Sequence, residues 1–342
     1  MPPEIAMKNL FEVKIVLTLH WISITMLSGC IMYYEGRLMD AKPQKQSLIK
    51  TMWKYRMRYL FLLPALILIF GIRYYNFAIA VYRSFFNWNG INISVFLGLR
   101  NYTDIFTDSR VIQAFKNVFI IAVAMVAINL IMPFLAAKLV YHIKARRFQN
   151  FLKTGFIVPM VVPSMVTILM WRWIFSGSMG ILNQFLTAVG LESMQRNWLA
   201  DIQTALPSMI FVGFPWIAGL PFLLYLAGLI NIPKEITESA QIDGIKSISR
   251  LFYIDIPMIS SQIKLVIIFV MIQAFQSFEL AFMLTGGGPG YRTTVPTMVI
   301  YDMAFNHNRF GYASAIGVVL FLTVLILTLI NHKFIKSAEL SD

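Results

Sequence analysis

Gln273, Gln276 and Glu279 recur three residues apart inside an otherwise apolar run, with Ser277 beside the middle one. On one helix that spacing can put all three side chains on a single face. Amides hydrogen-bond hydroxyl groups without the desolvation cost of a bare charge, so the chemistry on offer is hydrogen bonding, either to a hydroxyl-bearing solute or to neighbouring helices. Bond-making chemistry has no such cluster. The four histidines (His20, His142, His307 and His332) are scattered over different segments without metal-ligand spacing. Cys30 is the single cysteine, which excludes a disulfide within the chain. Gly286-Gly287-Gly288-Pro289-Gly290 lacks the Gly-Lys-Ser/Thr ending of a phosphate loop and reads as a turn. With no nucleophile–base pair and no ATP-binding motif, the chain is expected to bind or move a solute, and not to be an enzyme.

The elements that must hold these groups are membrane-spanning helices. Of 342 residues, 58% are hydrophobic and 13% charged, and the mean hydropathy is +0.68. Soluble domains run at roughly 45–50% and 25%. Seven apolar spans can be marked, at 15–34, 59–82, 117–139, 155–176, 206–230, 263–285 and 313–331. Each is near the roughly 20 residues that a helical crossing needs. Backbone polar groups in lipid must bond internally, which makes helix the expectation for each span. Pro64, Pro133, Pro159, Pro163, Pro215 and Pro221 are tolerated where neighbours or a cavity satisfy the freed carbonyls. The expected fold class is an all-α polytopic membrane protein.

The net charge of +13 follows the same logic. Sixteen Lys and Arg fall in the connections of one side and nine in those of the other, and segment 35–58 alone holds seven. Retention of bases on the cytoplasmic side puts that segment, the 231–262 connection and the C-terminus inside the cell. No basic run is interleaved with stacking aromatics, so the partner implied is membrane lipid, not nucleic acid. Leu27-Ser28-Gly29-Cys30 has the form of a lipoprotein cleavage site, but cleavage there would export the seven bases. The first span therefore reads as a retained anchor helix.

One stretch interrupts the apolar pattern: ESAQIDGIKSISRLFYIDIP, from Glu238 to Pro257. Pro233 suits the first turn of a helix, where its missing N–H costs nothing. Lys234 to Asp243 then read as a short helix ending at Gly244, a residue suited to a left-handed cap. Ile245, Ile248, Leu251, Phe252 and Ile256 predict a second amphipathic helix, stopped by Pro257. Helices this short are marginal in water, so the apolar face needs a membrane surface or a partner protein to bury against.

The segment IPKEITESAQIDGIKSISRLFYIDIP resembles the EAA loop of ABC-importer permeases. In that family a Glu-Ala-Ala triplet is followed by Asp-Gly and then, about ten residues on, by an Ile-x-Leu-Pro ending. Here Glu238-Ser239-Ala240, Asp243-Gly244 and Ile254-Asp255-Ile256-Pro257 match, with Ser239 for Ala and Ile256 for Leu. Further matching pieces are Tyr59–Pro64, Gly98–Tyr102, Val158-Pro159 with Val162-Pro163-Ser164, Gly180–Asn183, Leu284–Pro289 and Phe310–Ala313. The similarity covers most of 55–335 and runs to MalF/UgpA-type carbohydrate permeases. It implies a six-helix type I importer core plus one extra N-terminal helix. The domains are then an extension with basic linker at 1–54, the permease at 55–335 with its EAA loop at 231–262, and a tail at 336–342.

The resemblance also implies a bacterial inner-membrane machine. A second homologous permease, two cytoplasmic ATPase subunits and an extracytoplasmic solute-binding protein are its partners. ATP and Mg belong to the ATPase subunits, and this chain binds no cofactor or metal. Glu238, Ser239, Ala240, Asp243, Gly244 and Pro257 carry the coupling. Glu238 makes polar contacts in an ATPase groove, Gly244 permits the turn, and Ala240, Ile242 and Ile245 supply buried contact area. In this family the substrate cavity is formed by spans matching 155–176, 206–230 and 263–285. Its candidates here are Ser164, Gly213, Trp216, Gly219, Gln273, Gln276, Ser277 and Glu279. Met160 departs from the family, where an aromatic is common beside the proline. The expected function is a sugar or oligosaccharide permease. The alternatives are a permease for a non-sugar solute such as a glycerol phosphate compound, or a secondary transporter acting alone. Glu279 is the single acid within a span, too little for an ion relay.

Overall fold

In the computed structural model the described residues are 55–334, so the expected span at 15–34 and the tail at 336–342 lie outside them. Among the described residues, 55–72 and 73–334 fall in two units. In the first, α1 (Arg56–Leu68) carries Pro64 in its interior and runs into a π turn at Ile69–Tyr74. Helix α2 (Tyr75–Arg83) follows in the second. Next comes an element absent from the all-α expectation, a hairpin of β1 (Phe86–Trp88) and β2 (Ser94–Phe96). Its turn opens on Asn89-Gly90, where Asn89 Oδ1 accepts from the N–H groups of Ile91, Asn92 and Ile93 at 3.1, 3.1 and 2.9 Å.

After α3 (Arg100–Thr107), the 34-residue α4 (Ser109–His142) organises the bundle. Asp108 starts it, its Oδ1 accepting from the N–H of Arg110 at 2.9 Å and of Val111 at 3.4 Å. At 1.5 Å per residue α4 is about 51 Å long, beyond the roughly 30 Å of a hydrocarbon core. The chain continues through α5 (Arg146–Ile157), α6 (Ser164–Ile174), α7 (Ile181–Ala188), α8 (Ala205–Phe211) and α9 (Gly219–Ile230). Then come α10 (Lys234–Ile242), α11 (Ser247–Arg250), α12 (Ile256–Met258), α13 (Ser260–Phe275), α14 (Phe278–Leu284), α15 (Pro296–Tyr301) and α16 (Phe310–Phe334).

The spans expected as continuous helices at 155–176, 206–230 and 263–285 are all interrupted. The first narrows to a 3-10 turn at Val158–Val161, which contains Pro159, and bends by 91° into α6 after Pro163. In the second, α8 and α9 are separated by Gly213 at φ +88° and Trp216 at φ +58°. The third breaks after Gln276, and α14 starts beyond Ser277. Irregular backbone at membrane depth persists only where protein buries it or a cavity adjoins it, so the breaks point to where a cavity lies.

Helix α4 packs along α9 and α13. Gly228 lets α9 and the start of α13 approach each other, since a Cβ there would lie 3.0 Å from Gln262 Cδ and Ile259 Cγ2. Lipid tails are as apolar as leucine, so close packing and polar contacts hold such a bundle more than escape from water does. One buried cluster gathers Phe134, Phe222, Tyr225, Leu229, Ile259 and Val270. A second gathers Ile121, Ile168, Met209, Ala274 and Phe275. A third, with Val111, Val299, Tyr312 and Ile316, closes the end nearest the hairpin.

Candidate functional site

A cavity of about 380 Å³ opens where the first two clusters meet, lined by Ile121, Ile168, Val270 and Ala274 from them. Ser164, Gln273, Gln276, Ser277 and Glu279 all line it. Two helix breaks bring them together. Ser164 is the first residue of α6 after the 91° bend, and its Oγ donates to Glu279 Oε2 at 2.8 Å, 115 positions away in sequence. Gln276 ends α13 and Ser277 precedes α14, so the group does not share one face of a continuous helix as expected. A break, not a three-residue repeat, turns Gln273 and Glu279 toward the same space. Ser277 Oγ is buried without a hydrogen-bond partner. Asn129 lines the same wall and went unnoticed in the sequence; its Nδ2 donates to Met125 O at 2.9 Å. An amide midway along the apolar stretch of 117–139 was the available signal.

Gly213, Trp216 and Gly219 are not among the lining residues. Trp216 Nε1 donates to Ile210 O at 3.2 Å, and its ring packs on Phe211 and Phe214 at 5.0 and 4.9 Å between centroids. Gly219 opens α9 beneath Met160, whose Cβ and Sδ would lie 3.4 Å from an added Cβ. These three shape the α8–α9 break. Arg172, at the edge of its span, donates from Nη1 to Met283 O at 3.1 Å and lines a separate recess with Ser176 and Asn197.

At the far end of the bundle, α10 starts immediately after Pro233, which sits at the cap and not in the first turn. Its C-terminus closes as the sequence predicts. Gly244 takes φ +67°, its N–H reaches Gln241 O at 3.1 Å, and Ile245 N–H reaches Ala240 O at 3.1 Å. That pair of bonds satisfies the last carbonyls and needs the left-handed glycine. Pro257 does not stop the second helix. The run continues to Met258, with a π segment at Leu251–Asp255 where the missing proline N–H loosens the ladder, and turns by 72° into α13.

Ala240 is 4% exposed and faces its own chain, contrary to its expected place in a partner contact. Glu238, Ser239 and Asp243 are exposed, and Ile242, Ile248, Phe252 and Tyr253 form the outward apolar face. Asp255, the second residue of the Ile254–Pro257 ending, is buried, with Lys138 Nζ of α4 at 2.8 Å and Arg250 Nε at 3.4 Å, a pairing that its motif does not announce.

The opposite end of α4 is also tied down. Asn117, buried, donates from Nδ2 to Tyr291 O at 2.9 Å and Thr294 O at 2.8 Å, holding the glycine-rich loop, which is indeed a turn. Arg110 Nη1 lies 2.8 Å from Asp302 Oδ2. Burial pulls the Asp302 carboxyl upward, but hydrogen bonds from Asn306 and Arg110, with the charges of Arg110 and His307, outweigh it and hold its pKa below the ordinary value. Among the described residues no group of three His, Cys, Asp or Glu side chains could hold a metal ion.

Interrupted apolar spans around a polar-lined cavity, with an amphipathic loop locked to one end, define a multi-pass transport component of a membrane. Residues 143–338 match the family described as binding-protein-dependent transport system inner membrane component, and the chain belongs to that family. Among relatives, it is 33% identical over 282 residues to the probable ABC transporter permease protein YurN of Bacillus subtilis, covering 82% of this chain and 96% of that one. It is 28% identical over 281 residues to MsmF of Streptococcus mutans, a multiple sugar-binding transport system permease protein, covering 82% and 95%. Its fold is that of a bacterial ABC transporter involved in import of the acidic polysaccharide alginate, with a TM-score of 0.72, 22% identity, and coverage of 85% of this chain and all of that one.

Proposed function

We propose that this chain is the permease subunit of an ATP-driven, binding-protein-dependent importer. With a second, homologous permease it forms the pathway for a sugar or oligosaccharide. Two ATPase subunits, which carry ATP and Mg, engage the loop at 231–262, and a solute-binding protein delivers the cargo from outside. The observation that carries the sugar reading is the cavity. Ser164, Gln273, Gln276, Ser277 and Glu279 converge in an otherwise apolar space, the few-polar-groups pattern of a small-molecule site. The relatives' names agree: MsmF is a multiple sugar-binding transport system permease, and AmyD of Thermoanaerobacterium thermosulfurigenes is a probable starch degradation products permease.

The coupling reading rests on the exposed face of Ile242, Ile248, Phe252 and Tyr253, on a loop joined to α4. An apolar face seated in an ATPase groove would move α4 as a rigid body, because packed elements switch and do not stretch. The loop and the C-terminus are then cytoplasmic. Purification of the tagged chain from native membranes, followed by uptake assays in proteoliposomes, tests the proposal. Co-purified ATPase, sister permease and receptor with ATP-dependent saccharide uptake support it. Solute movement by the chain alone would overturn it.

A further inference from the structure

Glu279 is the one charged side chain among the residues that line the cavity; the remainder are apolar, amide or hydroxyl. We infer that this carboxylate makes the pathway selective by charge, admitting neutral or cationic saccharides and excluding anionic ones such as uronates, sulfonated sugars and sugar phosphates. The inference rests on the proposed function for its cargo and deepens it.

The carboxylate is presented, not incidental. Ser164 Oγ, from the far side of a 91° bend, donates to Oε2 at 2.8 Å and leaves the rest of the carboxylate's acceptor capacity toward the cavity. Ser277 Oγ is buried and unpartnered, and Gln273 and Gln276 add amides. Hydroxyl donors of a neutral sugar, or an ammonium of an amino sugar, satisfy that set. A carboxylate, sulfonate or phosphate on the cargo meets a like charge a few ångströms away, with no lysine or arginine on the wall to offset it. Arg172, on the same helix as Ser164, is held by Met283 O in the separate recess. At an effective dielectric near that of sites at a protein surface, one such like-charge contact lowers occupancy by roughly ten- to a hundredfold. The glycerol phosphate alternative is therefore disfavoured, and so is an acidic cargo like that of the alginate importer whose fold this chain shares.

Charge in the cavity can be read without knowing the cargo. In a Cys30→Ser background, Ser277→Cys is introduced into the complete complex in membranes and reacted with cationic and anionic methanethiosulfonates of similar size. The expected cation-to-anion rate ratio exceeds that of a small free thiol by about tenfold, and it returns toward that value when Glu279→Gln is added. Gln273→Cys, on the same wall, supplies a second position in case the first disturbs assembly. A ratio at the free-thiol value at both positions, or one untouched by Glu279→Gln, overturns the inference.

Uptake of cellobiose, maltose, diamino-chitobiose and digalacturonate by the unaltered complex forms the second arm. Entry of digalacturonate as fast as a neutral disaccharide also overturns it. Entry of no saccharide at all, with the labelling ratio intact, sinks the sugar reading and leaves charge selection standing.

Discussion

Lys138 Nζ lies 2.8 Å from Asp255 Oδ2, joining the C-terminal end of α4 to the amphipathic loop, across 117 positions of sequence. Arg250 Nε holds the other carboxylate oxygen at 3.4 Å, and the Asp255 side chain is only 3% exposed. Removing one member of a buried pair strands the remaining charge, which costs about 3–5 kcal/mol. Because Arg250 still faces Asp255, Lys138→Met is expected to lower stability by less than that figure, and adding Asp255→Leu to recover part of the loss. A thermal-unfolding double-mutant cycle on the purified complex measures this; strict additivity would show that the two residues act independently. Because α4 also lines the cavity through Ile121, Met125 and Asn129, ATP hydrolysed per solute moved should rise in Lys138→Met and be restored in Lys138→Arg.

Gly244 stands in open space, with nothing within 4 Å of an added Cβ, so its backbone angle of φ +67° sets the penalty for substitution. Ala there should cost about 1–2 kcal/mol, and a β-branched Val more. The expected phenotype of Gly244→Val is normal membrane insertion with uptake reduced severalfold. ATP-driven uptake at the normal rate in that variant would remove the turn from the coupling path.

Gln276 and Trp216 make a contrasting pair. Gln276 faces the cavity, whereas the Trp216 indole N–H is spent on Ile210 O. Loss of one neutral hydrogen bond to cargo should raise the apparent KM of Gln276→Ala by about two- to tenfold, with kcat changed less. Trp216→Phe should lower thermal stability with KM unmoved. The opposite assignment of effects would mean that the recognition surface lies at the α8–α9 break.

Asn117 donates to two carbonyls of the glycine-rich loop. Asn117→Leu leaves the buried Thr294 O unmet, while Tyr291 O keeps the Thr294 N–H at 3.2 Å, so the expected loss is about 1–3 kcal/mol. Limited proteolysis should then cut within 286–292 sooner than in the parent chain. Unchanged cleavage kinetics would show that the loop is held by its own threonine contacts.

Asp302 gives a pH dependence with a definite sign. Its pKa is depressed in the folded chain, so its pairing with Arg110 contributes fully above the unfolded value, about 3.9. The contribution disappears as pH falls through the lower, folded value. Asp302→Asn should melt below the parent at neutral pH, and the gap should close in acid below about pH 4. A gap of constant size down to about pH 3 would mean that the ion pair adds nothing.

Much of this architecture could be read from composition, because a bilayer crossing leaves a long signal. The apolar middles of α4 and α16 and the glycine cap at Gly244 were legible for local reasons, apolar run length and one residue's backbone freedom, whereas the start of α4 at Ser109 lies eight residues before the expected span. The interruptions were only half visible. Pro159, Pro163, Gly213 and Pro215 could be seen, but hydropathy treats a bent span and a straight one alike. The Asn89-Gly90 turn carried a hairpin signal that was passed over because its strands are three residues each. Lys138 with Asp255, and Ser164 with Glu279, were illegible for a deeper reason. Each pair is made by tertiary packing across more than a hundred residues, and although Glu279 stands out as an acid within a span, nothing in its own segment names Ser164 as its partner.

Helix α4 carries clamps near both ends, Arg110 on Asp302 and Lys138 on Asp255, about 42 Å apart along one axis. Their angular phase is set by residue count alone. A single residue inserted between them would rotate one clamp by about 100° against the other, so the stretch should tolerate changes of side chain far better than changes of length.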